Sequence, residues 1–249
     1  MSASLLISEL HDGVRTLTIS NPGKKNAIDA GLLDALEHAL RDDTGVRCWL
    51  FDSKDPTVFC AGYDLLQLAA APDGSFPDDR LADVLDLISR HPAPSVALIN
   101  GPAYGGGCEL AAACDFRVGS PQARFNMPPA KLGLVYTLKG LRRLSSRIGE
   151  QAARRMFLTA RTVDAIEAHR IGLLDVLAAD VRKEAEALCW ELAHHAPLAL
   201  AGIKRGFELM HLDHDADYER LRRQAFESED LRRGRDGFLS KKPPTFTGR

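Results

Sequence analysis

The segment SVALINGPAYGGGCELAAAC (Ser95–Cys114) constrains this 249-residue chain more than any other. Its first six residues, SVALIN, are short, apolar and bounded by Pro94 and Gly101, which suits a buried strand of a sheet covered on both faces. A Gly-Pro turn follows, and Gly105, Gly106 and Gly107 then open directly onto CELAAAC, an alanine-rich, helix-favouring run. Glycines at a helix start leave bare backbone N–H groups facing outward, with the positive end of the helix dipole behind them. Such a place suits negative charge developing on an oxygen, where one preorganised donor is worth about 2.7–4 kcal/mol. The glycines alone also fit a tight turn that packs a helix close to a strand. A phosphate cradle is a third reading, but the Lys and Ser/Thr that would complete a P-loop are absent.

A second loop, VFCAGYDL (Val58–Leu65), has the same character: Ala61 and Gly62 permit close backbone approach, and the Tyr63 N–H offers a second donor. Around these loops the pattern alternates strands with helices. Val14–Ser20 alternates like a strand, Asp29 is placed to cap a helix carrying Leu32, Leu33, Leu36 and Leu40, and Cys48–Asp52 reads as a short strand. Roughly Asp79–Arg90 forms an amphipathic helix through Leu81, Leu85 and Ile88. Beyond about residue 138 the pattern is mainly helical, except for a last strand at Asp175–Leu177. This is the outline of an α/β core with a helical extension. The charged stretch Asp213–Arg235 reads as a solvated helix face, on which Leu221, Phe226 and Leu231 could form an apolar stripe for a subunit contact.

Composition excludes several classes. A formal net charge of −2 gives no basic field for nucleic acid or an anionic membrane. No segment approaches the ~20 apolar residues that cross a bilayer, and the N-terminus lacks the pattern of a secretory signal. Five cysteines (Cys48, Cys60, Cys108, Cys114, Cys189), an odd number without a CxxC pair, point to a reducing compartment, so the expected location is cytoplasmic. None of the eight histidines forms a metal-spaced cluster, and no metal is expected.

Taken together, FCAGYDL and INGPAYGGGCELAAACDFRVGSPQARF resemble the paired signature of the crotonase (enoyl-CoA hydratase/isomerase) superfamily. NPGKKNAID and MFLTARTVDAIEAHRIGLLDVL are similar to other segments of that family, in the family's order, so the resemblance spans essentially the whole chain. It implies an α/β spiral of ββα turns over residues 1–195 holding the site, and a helical region over 196–249 that supports a homotrimer or a dimer of trimers. It further implies an acyl-coenzyme A thioester as substrate, with no separate cofactor, and its carbonyl between the N–H groups of Tyr63 and Gly106. Coenzyme A would lie along Lys25–Ala27 and along Ala61, Gly62, Asp64 and Leu65. FLSKKPPTF resembles the family's tail, so Phe238 and Lys241 are expected to touch coenzyme A, in one arrangement from a neighbouring subunit. The acyl-pocket lining is expected partly within Leu66–Asp86.

Hydration in this family uses two carboxylates. Glu109 occupies the first position, but twenty residues on, where the second glutamate belongs, stands Pro129. Proline neither accepts nor donates a proton, and losing such a group costs about 10²–10⁴-fold in rate. FNMPPAKLGLVYTLKGL instead resembles the methylmalonyl-CoA decarboxylase branch, including a tyrosine matching Tyr136. HHAPLALAGIKRGF and ESEDLRRGRDGFLSKKPPTF are similar to that branch too. The branch has His where this chain has Tyr63, and Thr where it has Pro128, beside the substrate carboxylate. The resemblance therefore implies decarboxylation of a malonyl- or methylmalonyl-type thioester. Tyr136 would orient the carboxylate, the oxyanion hole would hold the enolate, and Glu109 or a water would help deliver the proton. Two alternatives stand beside it: a hydratase or isomerase using Glu109 alone, and an acyl-CoA-binding protein without turnover.

Overall fold

A computed structural model describes residues 5–67, 76–210 and 216–249. In chain order the elements are β1 (Leu5–His11), β2 (Val14–Ser20), α1 (Ala30–Arg41), β3 (Cys48–Ser53), α2 (Pro77–Arg90), β4 (Ser95–Ile99), β5 (Pro102–Tyr104), α3 (Gly106–Ala113), β6 (Phe116–Gly119) and β7 (Arg124–Asn126). They continue with α4 (Pro129–Leu132), α5 (Leu138–Thr159), β8 (Val163–Asp164), α6 (Ala165–Arg170), β9 (Val176–Leu177), α7 (Val181–His194), α8 (Pro197–Leu209), α9 (Ala216–Glu227) and α10 (Glu229–Ser240).

Six strands form one sheet in the order β1-β2-β3-β4-β6-β9, parallel from β2 onward, with β1 antiparallel at the edge. Every residue of β3 and β4 is buried, as expected for parallel strands covered on both faces. Alternation divides their side chains cleanly. Trp49, Phe51, Ala97 and Ile99 pack with Leu32, Leu36, Leu81 and Leu85 of α1 and α2 on one face. Cys48, Leu50, Val96 and Leu98 pack with Ala185, Cys189 and Leu192 of α7 on the other. Asp29 caps α1 by accepting the Leu32 N–H at 2.9 Å.

A second, smaller sheet orders β5-β7-β8. Two single bridges extend it into the loops: Cys60 beside Ala103, and Ile28 beside Tyr63. Each pass of the chain thus adds a strand to the large sheet, a short extended piece to the small one, and then a helix. This repetition stacks the loop after β3 directly against the loop after β4.

The structure differs from the sequence reading in several places. Residues 102–104 continue past the Gly-Pro turn as β5, because their backbone pairs in register with β7. β1, β6 and β7 were not anticipated, and Val163–Asp164 is a strand inside the region expected to be helical apart from Asp175–Leu177. Of the charged stretch, 213–215 fall outside the described residues; the remainder lies on α9 and α10, with Leu221 half-buried and Phe226 and Leu231 exposed. Among the described residues no helix is long and apolar enough to cross a membrane.

All five thiols are free and buried. Burial pushes the Cys60 and Cys114 thiols up to about 12, far from the thiolate form that reacts. Native protein should therefore resist alkylation at all five positions, and modify them together on unfolding, as read by mass spectrometry. Labelling of Cys60 in native protein would show that the loop beside Ala103 opens.

Candidate active site

The helix start is bare backbone for a steric reason. A Cβ on Gly107 would sit 2.4 Å from the Cys60 carbonyl oxygen, and one on Gly62 would sit 2.8 Å from the Tyr104 oxygen. Gly62 also has φ +111°, a conformation that L side chains rarely adopt. These two glycines let the loops touch backbone to backbone. At Gly106 a Cβ would stand 3.2 Å from the Tyr63 nitrogen, so the two N–H groups named from the sequence are neighbours.

Both N–H groups are left out of the surrounding ladders. The Ile28–Tyr63 bridge uses the Ile28 N–H, donated to the Gly62 oxygen at 2.7 Å, and the Asp64 N–H, donated to the Ile28 oxygen at 2.8 Å. In a parallel bridge that leaves the Tyr63 N–H facing the other side. Gly106 begins α3, whose first N–H groups have no partner within the helix. Gly105, held by its N–H to the Asn126 oxygen at 2.8 Å, fixes where α3 starts. Two neighbouring backbone donors, one of them at a helix N-terminus, can hold one oxygen as it gains negative charge.

The structure brings together the two segments expected to run beside coenzyme A. The Ala61 N–H donates to the Lys25 oxygen at 3.0 Å, so Lys25, Ala27, Ala61, Gly62 and Leu65 lie along paired backbone, with Lys25 and Leu65 exposed. Lys25 and Asn26 both adopt left-handed conformations, and the buried Asn26 amide anchors the turn on the Ser53 hydroxyl at 2.7 Å. Asp64 is turned to another task. Its carboxylate accepts from Lys24 at 2.6 Å, which holds it below the usual carboxylate range and ties the two segments together. The Pro128 ring lies 3.9 Å from where a Cβ on Gly105 would be, at the edge of the glycine turn.

The tail is less directly placed. The side chain of Phe238 lies outside the described residues. Lys241 is exposed at the end of α10, and the segment beyond it packs near Arg47, which donates to the Phe246 oxygen at the N-terminal end of β3. Tyr63 follows the opposite end of that strand. Residues 68–75 of the expected acyl-pocket segment also fall outside the described residues. Two surface clefts of about 410 and 220 Å³ share Arg90, His91 and Pro92, at the N-terminal end of β4 and away from the paired N–H groups.

Glu109, in the first turn of α3, is 2% exposed and fully engaged. Tyr136 lies 2.5 Å away, its hydroxyl on Oε2, while Arg143 Nη1 donates to Oε1. The other arm of Arg143 reaches Asp86 at 2.6 Å, and Lys139 holds Asp86 at 2.9 Å and Asp83 at 2.7 Å. Gly140 makes room for the cluster: a Cβ there would lie 2.3 Å from the Tyr136 ring. Burial pushes the Glu109 carboxyl above its ordinary value, opposed by the Arg143 cation and the Tyr136 hydrogen bond. Burial and the Glu109 charge together hold the Tyr136 phenol well above its own. Sequence reading found Glu109 and Tyr136 but missed Arg143, Asp86 and Lys139. Their signal was present as a basic i, i+4 pair on α5 facing an acidic i, i+3 pair on α2.

This geometry is that of the crotonase-fold α/β proteins. A sequence profile of the enoyl-CoA hydratase/isomerase family matches residues 9–249. A probable enoyl-CoA hydratase of Mycobacterium leprae is 34% identical over 245 residues, spanning 95% of this chain and 97% of that protein. The methylmalonyl-CoA decarboxylase of Escherichia coli is 30% identical over 243 residues, spanning 92% of each. Among solved structures, an enoyl-CoA hydratase/isomerase family member matches with TM-score 0.91 at 28% identity, over 100% of this chain and 98% of that one. A family protein from Hyphomonas neptunium matches with TM-score 0.90 at 28% identity, over 98% of each. The chain belongs to the enoyl-CoA hydratase/isomerase family.

Two outcomes follow from the site. Gly62→Ala, which must displace Tyr63 from Gly106, should lower turnover about 10²–10³-fold, the effect of losing one such donor, while circular dichroism shows the fold retained. Tyr136→Phe should raise the Glu109 pKa further, because it removes a hydrogen bond that favours the charged form. A ¹³C carboxyl titration reads this directly, and an unchanged titration would contradict the contact.

Proposed function

We propose that this chain decarboxylates a malonyl- or methylmalonyl-type coenzyme A thioester. The observation that carries the reading is the pairing of the Tyr63 and Gly106 N–H groups with a site whose one retained family carboxylate, Glu109, is joined to Tyr136, while Pro129 stands at the second position. Breaking the bond between the carboxylate and the α-carbon releases carbon dioxide and sends its electron pair into the thioester, leaving an enolate whose oxygen both N–H groups hold. No base is required for that step. The α-carbon then takes a proton, and the Tyr136–Glu109 pair supports a proton source within the same site. The tyrosine hydroxyl also offers a polar contact for orienting the departing carboxylate.

The similarity to the Escherichia coli methylmalonyl-CoA decarboxylase supports this reading. The relatives named as probable enoyl-CoA hydratases favour a second one, hydration or isomerisation with Glu109 as the single acid–base group. Hydration by one carboxylate in place of two would run about 10²–10⁴-fold below a two-carboxylate site. In either reading the acyl-CoA lies along Lys25–Ala27 and Ala61–Leu65. Exposed Ile203, Phe207, Phe226 and Leu231 on α8 to α10 support a homotrimer or dimer of trimers, in which a neighbour's Phe238 and Lys241 could reach coenzyme A. The free thiols support a cytoplasmic location.

Purified protein incubated separately with methylmalonyl-CoA and crotonyl-CoA, with products followed by mass, decides between the readings. Loss of carbon dioxide from the first, lowered by Tyr136→Phe, is the expected result. Addition of water to crotonyl-CoA with methylmalonyl-CoA untouched would replace decarboxylation by hydration. Tight binding without turnover of either would leave an acyl-CoA-binding protein.

A further inference from the structure

We propose that His91 is a proton-sensitive latch: neutral, it shapes the turn on which α8 is docked, and on taking a proton it releases that helix from the N-terminal end of the large sheet. The inference stands apart from the reaction proposed above and concerns the opposite ends of β3 and β4.

The turn between α2 and β4 is built around the His91 ring. Trp49, on β3, donates its indole N–H to Nδ1 at 3.0 Å, and the Ala93 N–H donates to the same nitrogen at 3.0 Å. An indole N–H and a backbone N–H are donors only, so Nδ1 must offer its lone pair and the ring's one hydrogen sits on Nε2. Nε2 is buried without a hydrogen-bond partner among the described residues, and the Asp43 carboxylate stands 3.6 Å away. A second proton therefore has only Nδ1 to go to. There it would strip the Trp49 and Ala93 N–H groups of their acceptor, around a side chain that is 8% exposed.

What the turn holds is α8. The Lys204 ammonium donates to the Ala93 oxygen at 3.2 Å, the Ile88 oxygen at 3.4 Å and the Asp115 carboxylate at 2.6 Å. Ala93 thus faces both ways, its N–H on the His91 ring and its carbonyl on Lys204. The His91 backbone N–H also donates to the Ile88 oxygen, at 3.3 Å, and so helps to set the second carbonyl. Losing the bond from Ala93 to the ring loosens the carbonyls that grip Lys204, and the new imidazolium faces that ammonium as a like charge.

Burial holds the His91 ring below its ordinary value, and the charge of Lys204 on α8 adds to this. Asp43, from the segment between α1 and β3, and Asp115, before β6, act the other way. Arg90, next in the chain, is exposed and turned toward Asp86 at 4.0 Å. The clefts of about 410 and 220 Å³ meet at this turn, one reaching toward the end of α1 and the other toward α8 and α9. A free histidine takes its proton near pH 6.5 and the latched ring only at lower pH, so the latch is complete above about pH 6.5 and is lost as pH falls below it.

Hydrogen exchange of the α8 amides from pH 7.5 to 5.0, corrected for the intrinsic effect of pH on exchange, tests the latch in wild type and in His91→Asn. The asparagine oxygen can accept from Trp49 and Ala93 but takes no proton in this range. Wild type should lose protection in α8 ahead of β3 and β4, by up to about 30-fold, the ratio that an ordinary pKa of about 6.5 sets between those two pH values. His91→Asn should keep that protection. Equal loss in the two proteins, or no loss in α8 of wild type, would overturn the inference. If His91→Asn does not fold, Lys204→Met takes its place: removing the ammonium should raise the His91 pKa, as read by ¹H–¹⁵N NMR of the ring. The wild-type spectrum at pH 7.5 should show the hydrogen on Nε2. A ring that carries it on Nδ1, or that titrates alike with and without Lys204, would contradict the latch.

Discussion

The backbone contact between the loop after β3 and the loop after β4 is the constraint on which the rest of the site depends. Two N–H groups can share one oxygen only if nothing stands between them, and at Gly62 and Gly107 a single Cβ would meet a carbonyl oxygen at 2.8 and 2.4 Å. Glycine is therefore dictated at these positions by space, and at Gly62 by conformation too. The large parallel sheet supplies the spacing: β3 and β4 are adjacent, so the segments that leave them run side by side, and the Cys60–Ala103 bridge carries that adjacency into the loops. Donors fixed in this way need no reorganisation when charge develops on the oxygen, which is what makes such sites effective.

The second constraint is electrostatic. A carboxylate enclosed in an alanine-rich helix is costly unless paired. Glu109 is paired twice, and through Arg143 and Asp86 the pairing extends to the half-exposed Lys139. The same arrangement that makes Glu109 tolerable in the interior removes it from water.

Much of this was legible in the sequence because it rests on local rules. The Asp29 cap, the apolar stripe of α1, the alternation of β2 and the continuous apolar run of β4 each announce their element within a few residues, and each formed as read. The glycine run and the FCAGYD loop revealed the paired donors because small residues there have a steric purpose that survives as a pattern. β5 and β7, of three residues each, are extended because they pair with one another and carry too few residues to show a period. The partner of Glu109 was hidden for a different reason. Arg143 lies 34 residues away in a helix rich in arginine, and nothing local separates it from Arg142 or Arg147. Only the packing of α5 on α3 and α2 selects it.

The most direct test of the paired donors is the carbonyl stretching frequency of a ¹³C-labelled propionyl-CoA thioester bound to the protein, measured by isotope-edited infrared spectroscopy. Two backbone N–H groups on the thioester oxygen should polarise the carbonyl and lower its frequency below that of the free thioester in water, and Gly62→Ala should return it toward the free value. A bound thioester that absorbs where the free one does, in wild type and variant alike, would show that Tyr63 and Gly106 do not hold the carbonyl.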